Sequence, residues 1–117
     1  MKEENQKLLS ENKWCYIITE YLGDGSEFER GRIYYLDKLS NDEMRALFKK
    51  QSAYIEWENT LSEYSKHKPV KSYLQFRRCE IKYDDELEEF IVDYENGFVE
   101  MGEEIKGHYF FAGERED

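Results

Sequence analysis

Ser40-Asn41-Asp42-Glu43-Met44-Arg45-Ala46-Leu47-Phe48 opens the stretch that decides the fold. Ser40 has the side chain of a helix N-cap and Glu43 follows three residues on, the pattern of a capping box. Met44, Leu47, Phe48, Tyr54, Ile55, Trp57, Leu61 and Tyr64 then recur at three- and four-residue steps, the period of an amphipathic helix. Lys66, His67 and Lys68 place positive charge where a helix C-terminus favours it, and Pro69 stops the run. The spacing predicts one long helix over about residues 41–66. At 1.5 Å per residue it would span roughly 37 Å, enough to cross a whole sheet face.

On either side of this helix the periodicity changes to that of strands. Trp14-Cys15-Tyr16-Ile17-Ile18-Thr19-Glu20-Tyr21-Leu22 is aromatic and β-branched, as in a strand buried on both faces. Gly23-Asp24-Gly25-Ser26 supplies turn chemistry and residues 28–36 a second strand, so the two read as a hairpin. Residues 73–83 alternate as a third strand. Phe90-Ile91-Val92-Asp93-Tyr94-Glu95 and Phe98-Val99-Glu100-Met101 flank Asn96-Gly97, which predicts a two-residue type I′ hairpin. Residues 108–112 read as a last strand, and residues 1–12 as a short N-terminal helix anchored by Leu8 and Leu9. The expectation is a single α+β domain over residues 1–117, an antiparallel sheet of five to six strands packed on one long helix. Residues 113–117 read as a frayed acidic tail.

The chain has 117 residues, 17 basic and 27 acidic, for a formal net charge of -10. That sum is unevenly spread. Residues 1–79 hold 14 Lys or Arg against 13 Asp or Glu, a net of +1, and residues 80–117 hold 3 against 14, a net of -11. A basic stretch with Lys66, Lys68, Lys71, Arg77, Arg78 and Lys82 runs into the acidic third, and six cations cannot cancel fourteen acids. An exposed acidic surface follows. The hairpin register would set Asp93 against Glu100 with Glu95 on the same face, and bury Val92, Tyr94, Val99 and Met101. Like charges opposed across strands are unfavourable, so an acidic face mixed with aromatics suits a basic partner better than plain solubility. The candidate footprint is Asp84, Asp85, Glu86, Glu88, Glu89, Asp93, Glu95, Glu100, Glu103 and Glu104, with Phe98 as an apolar anchor.

Catalytic constellations find little support. Cys15 and Cys79 lie 64 positions apart and match no zinc or redox spacing, so buried free thiols are expected. His67 and His108 make a poor metal set. Glu80-Ile81-Lys82 and Glu104-Ile105-Lys106 carry the Glu-x-Lys of some metal-dependent nucleases, but composition alone yields about two such tripeptides. Gly23-Asp24-Gly25 lacks the lysine and helix of a phosphate loop. Arg30 and Arg32 are expected on one strand face, in salt bridges to the acidic segment. No cofactor and no metal is implied, and the reading is that of a non-enzyme. No apolar run nears the roughly 18 residues of a membrane span, and an N-terminus without a signal-like stretch points to the cytoplasm.

In composition the chain resembles two functional classes. One is the phage-encoded inhibitor of bacterial defence, such as an anti-CRISPR or anti-restriction protein; the other is the immunity protein that neutralises a toxin nuclease. The resemblance implies a basic, nucleic-acid-acting protein as partner, with no direct contact to nucleic acid and none to membrane. A structural or accessory subunit of a larger assembly is a further alternative.

Overall fold

The computed structural model describes residues 2–23, 25–61 and 71–106. The chain runs α1 (Lys2–Ser10), β1 (Trp14–Leu22), β2 (Glu27–Tyr35), α2 (Asn41–Thr60), β3 (Lys71–Asp84), β4 (Glu89–Val92) and β5 (Phe98–Lys106). The five strands of the described residues form one antiparallel sheet, so the α+β expectation holds. The expected strand at 108–112, both histidines and the tail at 113–117 lie outside the described residues.

Two apolar clusters hold the two faces of this sheet. Tyr16 and Ile18 of β1, Leu74 and Phe76 of β3 and Ile105 of β5 pack with Met44, Phe48 and Ile55 of α2. The Phe48 and Phe76 rings stack at 3.9 Å. On the opposite face Leu9 of α1 packs with Cys15, Ile17, Cys79 and Ile81. A second helix therefore covers part of the sheet's back. The Gln6 side-chain amide fastens it to β4, donating to the Phe90 carbonyl at 2.9 Å and accepting from the Phe90 N–H at 2.7 Å. A side chain thus occupies the backbone groups that an edge strand leaves open.

The capping box at the start of α2 is present. Glu43 N–H donates to Ser40 Oγ at 3.1 Å, and Ser40 N–H to Glu43 Oε1 at 2.9 Å. The helix is shorter than expected. It has 20 residues, and the Leu61 N–H bonds to the Glu58 carbonyl three residues back, which tightens the last turn. The expected stop at 66–69 lies outside the described residues. Of the periodic positions, Met44, Phe48 and Ile55 are buried, whereas Tyr54, Trp57 and Leu61 are exposed. A 3.6-residue repeat identifies a face, and here the apolar residues run wider than the sheet they pack on.

The largest departure concerns Asn96-Gly97. β4 and β5 do not pair with each other. Both run antiparallel to β3, β4 along residues 81–84 and β5 along residues 71–78, so they follow one another on the same edge. Residues 93–97 are an excursion between them. A type I′ turn needs positive φ at both central residues. Among the described residues only Gly25 and Glu88 have it. The physical reason is the length of β3. Its 14 residues expose an edge that a folded-back hairpin would leave half unpaired, and a collinear β4 and β5 satisfy it. The expected opposition of Asp93 to Glu100 therefore does not occur. Glu100 faces Phe76, Val99 faces Arg77 and Met101 faces Gln75. Of the four residues expected to be buried, Val92 is partly buried against the α1 cluster, and Tyr94, Val99 and Met101 are exposed.

A polar cluster sits at the buried meeting point of four elements. The side chains of Glu20 (β1) and Ser72 (β3) are wholly buried, and Asn59 (α2) is nearly so. Glu20 accepts from Arg30 Nη1 at 2.5 Å, Ser72 Oγ at 2.8 Å and Asn59 Nδ2 at 3.2 Å. Arg30 also donates to Asn59 Oδ1 at 2.8 Å and to Glu58. Removing one partner of such a network strands a buried charge, which costs about 3–5 kcal/mol. Urea denaturation of Glu20→Ala is expected to show a loss of that order. The double variant Glu20→Leu/Arg30→Met, which removes both charges, is expected to recover most of it.

Candidate functional site

The acidic footprint divides into three places. Asp84, Asp85, Glu86, Glu88 and Glu89 cluster at the β3–β4 turn. Asp93 and Glu95 belong to the excursion between β4 and β5, Asp93 beside Trp14, Arg78 and Phe98 and Glu95 on the back of the sheet beside Ile17 and Arg77. Glu100 and Glu104 lie along β5, and the side chain of Glu103 lies outside the described residues.

Most of the second and third groups are answered from within. Lys82 Nζ stands 3.1 Å from Asp93, Arg45 3.5 Å from Glu100, and Lys71 3.9 Å from Glu104. Tyr73 also donates to Glu104 at 2.9 Å. Phe98 is half-exposed on the α2 face, with the Arg78 guanidinium 5.0 Å from its ring centroid. Glu100 lies in a groove of about 540 Å³ between α2 and β5, floored by Phe48, Phe76 and Ile105. Its Oε2 is buried without a hydrogen-bond partner among the described residues.

The β3–β4 turn is different. Asp84 Oδ1 accepts from the Glu86 N–H at 2.8 Å and the Leu87 N–H at 3.1 Å, so this carboxylate shapes the turn. Asp85, Glu86 and Glu88 point outward, and no ion pair reaches them among the described residues. Leu87 stands between them, 60% exposed, with exposed Tyr83 beside the Phe90 ring. Glu88 has φ 54°, a left-handed conformation that glycine or asparagine ordinarily fills.

The arginines separate where the sequence grouped them. Between Ile18 and Thr19 the register of β1 against β2 slips by one residue, a bulge beside Arg30 and Gly31. It turns Arg30 to the α2 face, into the Glu20 cluster, and leaves Arg32 on the other face. There Arg32 donates to Glu29 through Nε and Nη2, at 2.8 and 2.9 Å, and reaches the Tyr94 hydroxyl. Neither arginine pairs with a carboxylate of residues 80–117 among these contacts. Arg77 Nη1 donates to the Tyr94 carbonyl at 2.7 Å. Sequence reading missed this convergence on Tyr94, because the alternation it used carries no sign of a bulge.

Asn96 and Gly97 have roles other than a hairpin. Asn96 Nδ2 donates to the two Asp93 oxygens at 3.0 and 3.3 Å. That amide first, and Lys82 second, holds the Asp93 carboxyl below its usual value. A lowered folded value means this support for the loop is present above the ordinary Asp range and is lost as pH falls through the folded one. Gly97 is required for close approach: a Cβ there would stand 2.9 Å from both Arg77 Cγ and Cys79 Sγ.

No family model, curated protein or solved structure matches this chain. Among the described residues no group of three or more His, Cys, Asp or Glu could hold a metal ion, and no helix is long and apolar enough to cross a membrane. Gly97→Ala is expected to displace the 93–97 loop and to destabilise the protein by about 1–3 kcal/mol, the range for overpacking a filled site. A urea midpoint checks it.

Proposed function

We propose that this chain is a non-catalytic acidic binding protein of the cytoplasm that inhibits a basic, nucleic-acid-acting partner by seating the β3–β4 turn in its nucleic-acid groove. The observation that carries this reading is the contrast among the carboxylates. Asp93, Glu100 and Glu104 have cations of the chain beside them, whereas Asp85, Glu86 and Glu88 stand outward around an exposed leucine. A turn whose Asp85, Glu86 and Glu88 have no cation beside them among the described residues accelerates encounter with a positive groove, and the apolar tip slows release. Glu88 adds support. An acid held where glycine would be relaxed is a strained residue of the kind that marks functional sites. A phage-encoded inhibitor of a defence effector and an immunity protein against a toxin nuclease share this chemistry, and the identity of the captured protein separates them.

The test is a pull-down from host lysate across a salt series, with wild type beside Asp85→Lys/Glu86→Lys/Glu88→Lys. Wild type is expected to retain one basic nucleic-acid-acting protein, released as salt rises, and the triple variant to lose it without loss of fold. Equal retention by both would reject the turn as the contact. Glu88→Gly is expected to stabilise the fold by about 0.5–1 kcal/mol, the strain relieved less the entropy of glycine, while slowing association.

A further inference from the structure

Cys15 and Cys79, so distant in sequence, are direct cross-strand partners of β1 and β3. Both are free thiols, both wholly buried, and both belong to the cluster under α1. The Ile81 N–H donates to the Lys13 carbonyl at 2.9 Å, which makes Lys13 and Ile81 a hydrogen-bonded pair. Counting two residues along each strand puts Cys15 and Cys79 in the same class, with Cα atoms about 5.5 Å apart. At Cα that lies within the span of a disulfide, roughly 4.4–6.8 Å. At Cβ a hydrogen-bonded pair stands at the wide end, about 5.5 Å against the roughly 3.5–4.5 Å of a disulfide, so closing the bond draws β1 and β3 together locally.

The roof over Cys79 is the 93–97 excursion. Gly97 sits against Cys79 Sγ, so close that no side chain fits between them. What holds the roof to the sheet is mostly exposed side-chain contact, the Arg77 bond to the Tyr94 carbonyl, Arg32 at the Tyr94 hydroxyl and the Lys82–Asp93 pair, with one backbone bond from the Asp93 N–H to the Glu80 carbonyl at 2.9 Å. Segments tied down by exposed polar contacts open locally far more often than the whole protein unfolds.

We propose that Cys15 and Cys79 form a reversible redox site, a vicinal cross-strand dithiol that a small-molecule disulfide oxidises when the 93–97 roof opens. One cysteine thiolate attacks the oxidant's S–S bond and expels the first small thiol, leaving a mixed disulfide. The second cysteine thiolate attacks the protein sulfur of that adduct and expels the second. Two S–H bonds are lost and one S–S bond forms in the protein; the oxidant's bond takes the two electrons, and its two thiolates take the two protons. With the roof closed, burial pushes the Cys15 thiol up to about 11 and raises Cys79 as well, though the Arg77 guanidinium partly offsets the latter. The closed state is therefore slow to react, and Cys79, under the loop and near Arg77, is the entry thiol. Closing the bond to about 2.05 Å draws Cys79 Sγ toward β1 and away from Gly97, so oxidation loosens the loop that carries Asp93, Tyr94 and Glu95. None of this depends on the identity of a partner.

The experiment is an equilibrium titration of the full chain in mixtures of oxidised and reduced glutathione. Samples are taken through unfolding and refolding in each mixture, so that burial cannot block the reaction. They are then alkylated and read by intact mass and a disulfide peptide map. A parallel series stays in denaturant throughout. The folded chain is expected to lose two hydrogens, with Cys15 linked to Cys79 in the monomer. Its half-oxidation should need at least a tenfold lower ratio of oxidised glutathione to the square of the reduced form than the unfolded chain does. An equal or higher ratio for the folded chain would overturn the proposal, as would adducts or interchain links in place of the internal bond. Amide exchange at 93–97 is expected to rise on oxidation, with no response in Cys15→Ser/Cys79→Ser.

Discussion

The Glu20 carboxylate, wholly buried and bonded to Arg30, Ser72 and Asn59, is the point at which β1, β2, β3 and α2 are made to agree. A carboxylate out of water is tolerable only with its lone pairs satisfied, and these three donors come from three different elements. Each element therefore has one permitted position. The bulge in β2 turns Arg30 inward, and Asn59 next to the end of α2 places the helix terminus over the sheet. A core of apolar side chains alone would tolerate small slides of α2 across the strands; a fixed set of hydrogen bonds does not.

β3 is the second organising feature. Its 14 residues pair with β1 on one edge and with β4 and β5 in turn on the other. Because β4 and β5 share that edge, the five residues between them must leave the plane of the sheet, and they fold over Arg77 and Cys79. The excursion roofs Cys79 and brings Tyr94 to Arg32 and Arg77. The same strand supplies Lys71 and Lys82 to neighbouring carboxylates. The charge excess of the last third of the chain is thus partly neutralised where it meets β3. At the turn where β3 ends, Asp85, Glu86 and Glu88 have no ion pair among the described residues.

The hairpin of β1 and β2, the capping box, the strand character of β3 and the α+β class were all legible in the sequence. Each rests on short-range chemistry: a serine three residues before a glutamate, a run of β-branched and aromatic residues, glycines at a turn. Asn96-Gly97 shows the limit of such reading. The dipeptide favours a tight turn, but it had to compete with the unpaired edge of a strand some twenty positions earlier. Backbone hydrogen bonds over a whole edge outweigh a local turn preference.

Residue order was enough to set which segments became strands and helices, and to concentrate the acids after Cys79, because those properties depend on neighbours within a few positions. Tertiary structure alone decided which acids keep an internal cation and which do not. It alone set Cys15 opposite Cys79, and turned Arg30 from the face of Arg32 toward a buried glutamate. These outcomes depend on register and on a single bulged residue. A shift of one position in a strand moves every side chain to the opposite face, and nothing in the local sequence encodes where that shift falls.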